Sequence, residues 1–552
     1  MMLGINLLFL VAYVVLIVHV AAQYSLLSST DALALLDVSS PLLNLLIIGL
    51  AFQGFVVYAC KLGVRNQLFL LESLGLVLVG TPYFLSNGLV EPDTPWHLGV
   101  VVNLPQALSH ITAFGTYAFQ YPGFFVEASA VLQVSGIPFL QFGRLVWPSL
   151  ATLLIVLLFY VLGSKLSSRR TAFLAVLVTM LVLYMLDVHP SPESNGDLLT
   201  LTTLVLLFDS RRRVRGLGLL TIIALVLTHP TSPFVVMSAG LGILVASSSV
   251  NRRTSRDLIL LIIIPVISWL AWAFYLGSIA AYPFASAIEN LISLGFLHGQ
   301  VGSFTASVFP YVARFREATL GSLIIFGAYF AILVSGRSFL KSLFRLPNRL
   351  SSEMKVKPTL YTLLFLGVIL SYIVFVNGGL IREPFDYYFV FFASVIVSSL
   401  VALAEGKRRL SWMFPLLLWL LMLGILYPSV AYPFAAPNNF TQAQLSGISF
   451  LAPQLDGHAL YTWRPDDFTL YAKSTDFGAV DLLVASNPPS TILKSKAGDL
   501  VVFPQTAYYE VYETESAQIS NSPYTGSLIE AQITPFFDKI FSNPNIQAFV
   551  RI

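Results

Sequence analysis

The chain is short of cysteine, of charge and of basic runs, and each shortage excludes a class of protein. Cys60 is the only cysteine among 552 residues, so neither an intrachain disulfide nor a cysteine-based metal site can form. Charged residues make up 11% of the chain, whereas a soluble domain carries about 25%. No basic stretch with interleaved aromatic residues lies outside the apolar segments, so nucleic acid is not expected as a partner.

Long apolar segments fill most of the first 430 residues. The chain is 56% hydrophobic and its mean hydropathy is +0.78, which is typical of a polytopic membrane protein. We therefore expect an all-α polytopic membrane protein with about 13 transmembrane helices. The predicted spans are 3–22, 41–60, 67–86, 146–163, 171–187, 198–208, 216–229, 233–249, 257–276, 320–336, 359–376, 388–404 and 411–428. Segments 198–208 and 216–229 are short, so they are either extended by their polar flanks or re-entrant.

The basic residues agree with this topology when the N-terminus is placed in the cytoplasm. Most of the 31 lysines and arginines then fall in alternate loops, as the positive-inside rule requires. The basic loops are 61–65, 165–170, 211–215, 252–256, 337–357 and 407–409. Outer loops between spans hold only Arg144, Arg314, Arg316 and Arg382. A missed span would break the alternation, so we expect a multi-pass protein of the cell membrane, in contact with lipid throughout.

The outer side carries the long loops. Residues 87–145 form a semi-apolar loop whose periodicity predicts helices lying in the membrane interface. Isolated acids and histidines mark the outer loops, among them Asp187, His189 and His229. Such residues are costly beside lipid, so a polar cavity open to the outer side would explain them.

The character of the chain changes after residue 430. Strand-like runs at 481–485, 500–503 and 508–512, and a hairpin within 539–550, alternate with turn residues. We expect two domains: residues 1–430 as the transmembrane domain, and residues 431–552 as a small α/β extracytoplasmic domain.

Two carboxylates stand at the outer end of the third span. In Glu91-Pro92-Asp93 they are separated by a proline, which favours a bent, non-helical exit from the membrane. An acidic pair opening the first outer loop, together with the many spans, resembles the GT-C superfamily of membrane glycosyltransferases, among them protein mannosyltransferases and aminoarabinose transferases. The run Tyr121-Pro122-Gly123-Phe124 is similar to one that many members carry later in that loop, and Thr228-His229-Pro230 resembles a turn of some members.

The resemblance implies a sugar donor linked to polyprenyl phosphate and an acceptor that is a protein, a lipid or a glycan. It implies inverting attack, with Asp93 as general base and Glu91 as the second candidate. Arg382 resembles the arginine near the lipid phosphate; the alternative is a simple pair with a nearby acid. His97 and Tyr121 are the predicted substrate-binding residues.

A divalent metal is a further implication of the resemblance. Some members hold an ion between acids of the first two outer loops, and Asp93, Asp187 and His189 occupy the corresponding places. Oxygen-rich ligands would suit Mg²⁺ or Mn²⁺. Other members work without metal, so both readings stay open. His229, which precedes Pro230, is interpreted as a packing residue at a helix end.

Two other functions compete with glycosyl transfer. A transporter or flippase would have polar residues at mid-membrane and internal repeats; Glu72 is the clearest mid-span charge, and no repeat is visible. A non-catalytic membrane scaffold with an outer partner-binding domain would keep the same topology. Within the glycosyltransferases, the chain lacks the Trp-Trp-Asp-x-Gly run of oligosaccharyltransferases, which favours transfer of a monosaccharide.

Overall fold

The structure is a computed structural model, and it describes a large part of the chain. The described residues are 2–24, 41–85, 89, 94–107, 120–182, 188–207, 209, 211–230, 232–237, 263–265, 267–272, 275, 322–333, 383–406, 410–435, 449–451, 459–462, 478–481, 500–504, 537–543 and 546–551.

Apolar helices follow one another through the first 230 residues. They are α1 (Met2–Tyr24), α2 (Pro41–Ala59), α3 (Val64–Leu78), α4 (Gly80–Leu85), α5 (Thr94–Ala107), α6 (Gly123–Ser135), α7 (Phe139–Gln141), α8 (Trp147–Leu166), α9 (Arg169–Val182), α10 (Pro192–Leu207) and α11 (Arg212–Thr228). Helical residues also occupy 232–237, 263–265, 267–272 and 322–333, and two long helices follow, α12 (Glu383–Gly406) and α13 (Met413–Ala435). Helices α10 and α11 begin in the polar flanks of the short predicted spans at 198–208 and 216–229 and cover most of both. Whether they cross the membrane or re-enter it stays a prediction.

Helix α9 is the centre of the packing. Every residue from Thr171 to Val182 is buried. Glycines let neighbouring helices approach it closely: a Cβ added to Gly54 of α2 would lie 2.5 Å from the Leu177 side chain, and one on Gly163 of α8 would lie 3.0 Å from Ala172. Small residues at such contacts are typical of helices packed within a membrane, where dispersion between close surfaces favours association.

Ion pairs tie the ends of several helices together, and we call this the basic end. Glu405, near the end of α12, pairs with Lys61 at 3.2 Å and with Arg170, the second residue of α9. Asp209, just after α10, accepts bonds from Lys165 of α8 at 2.7 Å and from Arg211 at 2.9 Å. The hydrogen bonds from Arg211 and Lys165 hold the pKa of Asp209 well below its usual range. Three basic loops that were predicted to share the cytoplasmic side, 61–65, 165–170 and 211–215, are therefore connected through Glu405 and Asp209.

Within the described part of the chain, two helical segments are long and apolar enough to cross a membrane. Leu42–Ala59 lies within the predicted span at 41–60, and Phe139–Leu166 includes the predicted span at 146–163. The remaining apolar helices of the described residues, such as Gly216–Thr228 and Met413–Ile425, are shorter. A topology with about 13 spans stays a prediction, and the span at 359–376 lies outside the described residues.

The first outer loop is helical but more enclosed than expected. Helices α5 and α6 lie within residues 87–145, as predicted. The first two turns of α5 are buried on nearly all sides, from Thr94 to Val101 with only Trp96 partly exposed. An interfacial helix would show one exposed face there. The start of α5 therefore lies inside the helical packing.

A mixed sheet of five strands forms in the C-terminal region. The strands are β1 (Ala459–Thr462), β2 (Gly478–Asp481), β3 (Leu500–Pro504), β4 (Phe537–Asn543) and β5 (Ile546–Arg551), in the order β2-β1-β3-β5-β4. β1 pairs in parallel with β2 and β3, whereas β5 is antiparallel to β3 and β4. The strand at 500–503 and the closing hairpin agree with the sequence pattern; the predicted strand at 508–512 lies outside the described residues.

Candidate functional site

The first turns of α5 carry a histidine surrounded by aromatic rings. His97 follows the Glu91–Asp93 pair by four residues and is 6% exposed. Its ring centroid lies 5.0 Å from Trp96, 6.0 Å from Phe125 and 6.3 Å from Phe124. Aromatic rings therefore pack around His97, four residues after Asp93 in the sequence.

The second outer loop meets the first at this histidine. The ring of His189 stacks on His97 with centroids 5.7 Å apart and an interplanar angle of 25°. His189 is 5% exposed and is followed by Ser191, whose Oγ accepts a hydrogen bond from the backbone N–H of Ser194 at 3.0 Å. Because Ser191 caps the start of α10 in this way, the loop is anchored to the helix that follows it.

Three other helices hold the first turn of α10 by hydrogen bonds to polar side chains. The bonds run from Trp147 Nε1 to Ser194 Oγ at 3.2 Å, from Asn195 Nδ2 to Glu127 Oε2 at 2.9 Å, and from Tyr388 OH to the backbone oxygen and Oδ1 of Asp197 at 3.3 and 3.4 Å. Asn195 and Asp197 are 3% and 4% exposed. This polar turn is therefore part of the folded interior, since buried polar groups persist when they are hydrogen-bonded.

A histidine at the end of α11 closes the same region. His229 Nδ1 lies 2.7 Å from Ser232 Oγ, and the residue is buried directly after the last turn of the helix. A Cβ on Gly196 would lie 2.7 Å from Ser232 Oγ and 2.9 Å from His229 Cβ, so only glycine fits there. His229 thus packs a helix end, as the sequence indicated. We call the set His97, Glu127, His189, Asn195, Asp197, His229 and Tyr388 the outer cluster.

The outer cluster and the basic end lie at opposite ends of α10. The outer cluster holds the first turn of this helix, and Asp209 follows its last turn. Sixteen residues of helix span about 24 Å, which separates the two regions by most of the thickness of a bilayer core.

Tyr121, a predicted substrate-binding residue, lies two residues before a close contact between α6 and α11. The side chain is 4% exposed, and burial raises the pKa of Tyr121 to about 12. The contact is tight, because a Cβ on Gly123 would collide with Thr228 Oγ1. Tyr121 is therefore a buried, neutral phenol close in sequence to the place where α6 meets the end of α11.

An apolar groove begins beside this turn. Trp272 Nε1 donates to the backbone oxygen of Gln120 at 2.7 Å, which joins the helical residues 267–272 to the turn before α6. The groove has a volume of about 440 Å³ and one polar lining residue, Ser268; its other walls are Ile223, Val226, Leu227, Ala271, Trp272 and Tyr275. Tyr275 is 80% exposed and stacks on Trp272 at 5.5 Å. The groove is thus open and lies within one turn of the outer cluster along α11.

Between α7 and α8 the helix opens into a π turn, Phe142–Val146. Pro148 explains the turn, because it has no N–H to give to the carbonyl four residues earlier and its ring crowds that carbonyl. The carbonyl belongs to Arg144. Gly143, the residue before it, packs against Leu89 and Leu98, where an added Cβ would lie 3.2 and 2.5 Å from their side chains. Leu89 and Leu98 flank the acidic pair in sequence, so the π turn contacts the chain on both sides of it.

The structure places some of the predicted site residues and not others. His97, Tyr121 and His189 are buried at or beside the outer cluster. Glu91, Asp93, Asp187 and Arg382 lie outside the described residues, although each is close in sequence to one that is described. Of the predicted metal ligands the structure thus places His189 alone, and no group of three His, Cys, Asp or Glu that could hold an ion exists among the described residues. The Mg²⁺ or Mn²⁺ site stays a prediction.

The chain is similar to two crystal structures of an oligosaccharyltransferase from Archaeoglobus fulgidus. One is the complex with zinc and sulfate, at 13% identity and a TM-score of 0.48, covering 88% of this chain and 73% of that one. The other is the apo form, at 11% identity and a TM-score of 0.49, covering 88% and 74%. No protein-family model and no curated protein matches the chain. At such low identity and TM-score a shared substrate does not follow, and function rests on this chain's own residues.

Proposed function

We propose that the chain is an integral membrane glycosyltransferase of the GT-C type. It transfers a sugar from a polyprenyl-phosphate-linked donor to a protein, lipid or glycan acceptor on the extracytoplasmic side. Asp93 is the general base, with Glu91 as the second candidate, and Arg382 binds the donor phosphate. His189, with Asp93 and Asp187, would hold a divalent ion in a metal-dependent member.

The observation that carries the proposal is the meeting of several outer loops in the outer cluster. Its residues come from the loop before α10, the start of α12 and the helices of the first outer loop. These segments are far apart in the sequence. Asp93 stands four residues before His97, Asp187 two before His189 and Arg382 six before Tyr388. Since consecutive Cα atoms are about 3.8 Å apart, the chain is long enough in each case for the predicted residue to reach the cluster member closest to it in sequence.

The proposed reaction needs a base and a cation. The acceptor oxygen attacks the anomeric carbon, its proton passes to the Asp93 carboxylate, and the bond from that carbon to the phosphate oxygen breaks. Polyprenyl phosphate leaves with the bonding electrons, and an arginine fork offsets its charge. Attack on the face opposite the leaving group inverts the anomeric configuration. Where a site excludes water, such electrostatic interactions are stronger, and most members of the outer cluster are buried.

The apolar groove supports a donor with a lipid chain. A ligand that has a polar head and a long apolar tail needs an apolar surface next to a polar site. The groove provides such a surface between α11 and the residues Ser268, Ala271, Trp272 and Tyr275, and Thr228 connects it in sequence to His229 at the end of α11. Its open side lets a chain longer than the groove continue into the bilayer.

The experiment is transfer of sugar from a polyprenyl-phosphate donor by the purified full chain in nanodiscs. Asp93→Asn should reduce transfer by about a hundredfold or more, as expected for loss of a general base. Asp209→Asn is the matched control, because it makes the same change at the basic end and keeps an oxygen that accepts hydrogen bonds. Transfer by Asp93→Asn at the wild-type rate would eliminate the assigned base. Movement of the lipid between leaflets without transfer would favour a flippase.

A further inference from the structure

Arg144 differs from the other described basic side chains of the helical region in its surroundings. It is half-buried in the π turn, and its Nε atom is buried without a hydrogen-bond partner. By contrast, Lys165, Arg170 and Arg211 each contact a carboxylate. Among the described residues, no acid pairs with Arg144. The guanidinium therefore lies beside an apolar helix without a counter-ion among the residues that the structure describes.

The position of Arg144 is defined by its neighbours. Gly143 fixes the π turn against Leu89 and Leu98, on either side of the acidic pair. Phe142, the first residue of the turn, lies with its ring 5.8 Å from Trp147, which in turn donates to Ser194 of the outer cluster. The arginine is thus attached to the framework of the proposed site. π turns within α-helices occur frequently at functional sites, where they displace a side chain from the regular spacing.

An unpaired cation in such a place is stabilised when an anion binds to it. Taking a charge out of water is costly unless a partner meets it, and the cost rises beside lipid. A guanidinium presents a planar fork of N–H donors that matches the oxygens of a phosphate. The chemistry that fits Arg144 is therefore a phosphate group at the outer surface of the membrane.

We propose that Arg144 binds the phosphate of the lipid-linked donor, as a cation from a different part of the chain than Arg382. The inference rests on the proposed function and locates one of its ligand contacts. The π turn that carries Arg144 packs against Leu89 and Leu98, which flank Asp93 in the sequence. The same phosphate chemistry is offered by phospholipid headgroups, so the test must separate the two sources.

The test measures binding rather than transfer. Undecaprenyl phosphate is titrated into the full chain in nanodiscs of phosphatidylcholine, with tryptophan fluorescence as the readout. Arg144→Gln should weaken binding about tenfold or more, since charged hydrogen bonds contribute at that level. Arg144→Lys keeps the charge without the fork and should lie between. Arg213→Gln, a change of an exposed arginine next to the basic end, should leave binding unchanged.

A second measurement distinguishes loss of the phosphate-binding group from misfolding of the variant. Guanidinium ion added to Arg144→Ala should restore part of the binding, which a misfolded variant could not show. Wild-type binding by Arg144→Gln would overturn the inference. Equal weakening for phosphatidylglycerol would also overturn it and would make Arg144 an anchor to headgroups. Failure of the wild-type chain to bind undecaprenyl phosphate would overturn the proposed function as well, so the two failures are distinguishable.

Discussion

Replacing Glu405 by glutamine should destabilise the basic end more than replacing its exposed partner Lys61 does. The carboxylate pairs with Lys61 and Arg170, and Arg170 also donates to the carbonyl of Tyr58 at 2.8 and 3.2 Å. The side chains of Glu405 and Arg170 are 17% and 22% exposed, whereas Lys61 is 66% exposed. Breaking a buried pair costs about 3–5 kcal/mol, and an exposed pair contributes about 0–1 kcal/mol. We expect Glu405→Gln to cost about 2 kcal/mol of unfolding free energy, between these limits.

The measurement is reversible unfolding in mixed micelles, followed by circular dichroism. Lys61→Gln is the matched control and should cost less than about 1 kcal/mol. The Arg170→Gln and Glu405→Gln changes should be coupled by at least about 1 kcal/mol in a double-mutant cycle, because each leaves the other's charge without its partner. If Glu405→Gln costs no more than Lys61→Gln, the three helix ends are not held together by this carboxylate, and the contacts of the basic end are misassigned.

Three other predictions concern sidedness and packing. Cys60 is exposed at the basic end, so a membrane-impermeant maleimide should label it only in inverted vesicles, whereas Val134→Cys in a chain with Cys60→Ala should be labelled from outside; the reverse pattern would invert the topology. Glu127→Ala should cost about 1–3 kcal/mol of unfolding free energy because it leaves the buried Asn195 amide unpaired, and Glu127→Gln should cost less because its oxygen still accepts; equal costs would show that this bond does not stabilise the fold. Gly123→Ala should cost about 1–3 kcal/mol by the same measurement, because the added methyl overlaps α11, and an unchanged value would contradict the close approach.

Hydrophobic runs predict the helices well and their ends less well. The apolar run 198–208 begins six residues after Pro192, where α10 starts. Those six residues are polar, yet most are buried because side chains of other helices cover them and hydrogen-bond to them. The hydropathy of one segment cannot show that other helices bury it. The same limit applies to α5, whose first turns are enclosed by residues distant in sequence.

Some contacts of the candidate site can be predicted from the sequence, and others cannot. Alternation of loops predicts that His97 and His189 lie on one side, and the structure stacks them. The partners of Glu127 and Tyr388 are 68 and 191 residues away, and no local pattern marks them. The π turn at Arg144 does have a local sequence signal, because Pro148, four residues later, removes the hydrogen bond that the Arg144 carbonyl would accept. Long-range hydrogen bonds need the fold, whereas the π turn could be read from the sequence.

Different interactions hold the two ends of the helices. At the basic end, acids and bases of the chain neutralise one another, as in the pair of Glu405 and Arg170. In the outer cluster, Glu127 accepts a hydrogen bond from Asn195, and Asp197 accepts one from Tyr388. Asn195 and Asp197 are 3% and 4% exposed, so these bonds satisfy polar groups inside the helical packing. The basic end is therefore held by ion pairs, whereas these bonds of the outer cluster join carboxylates to neutral groups.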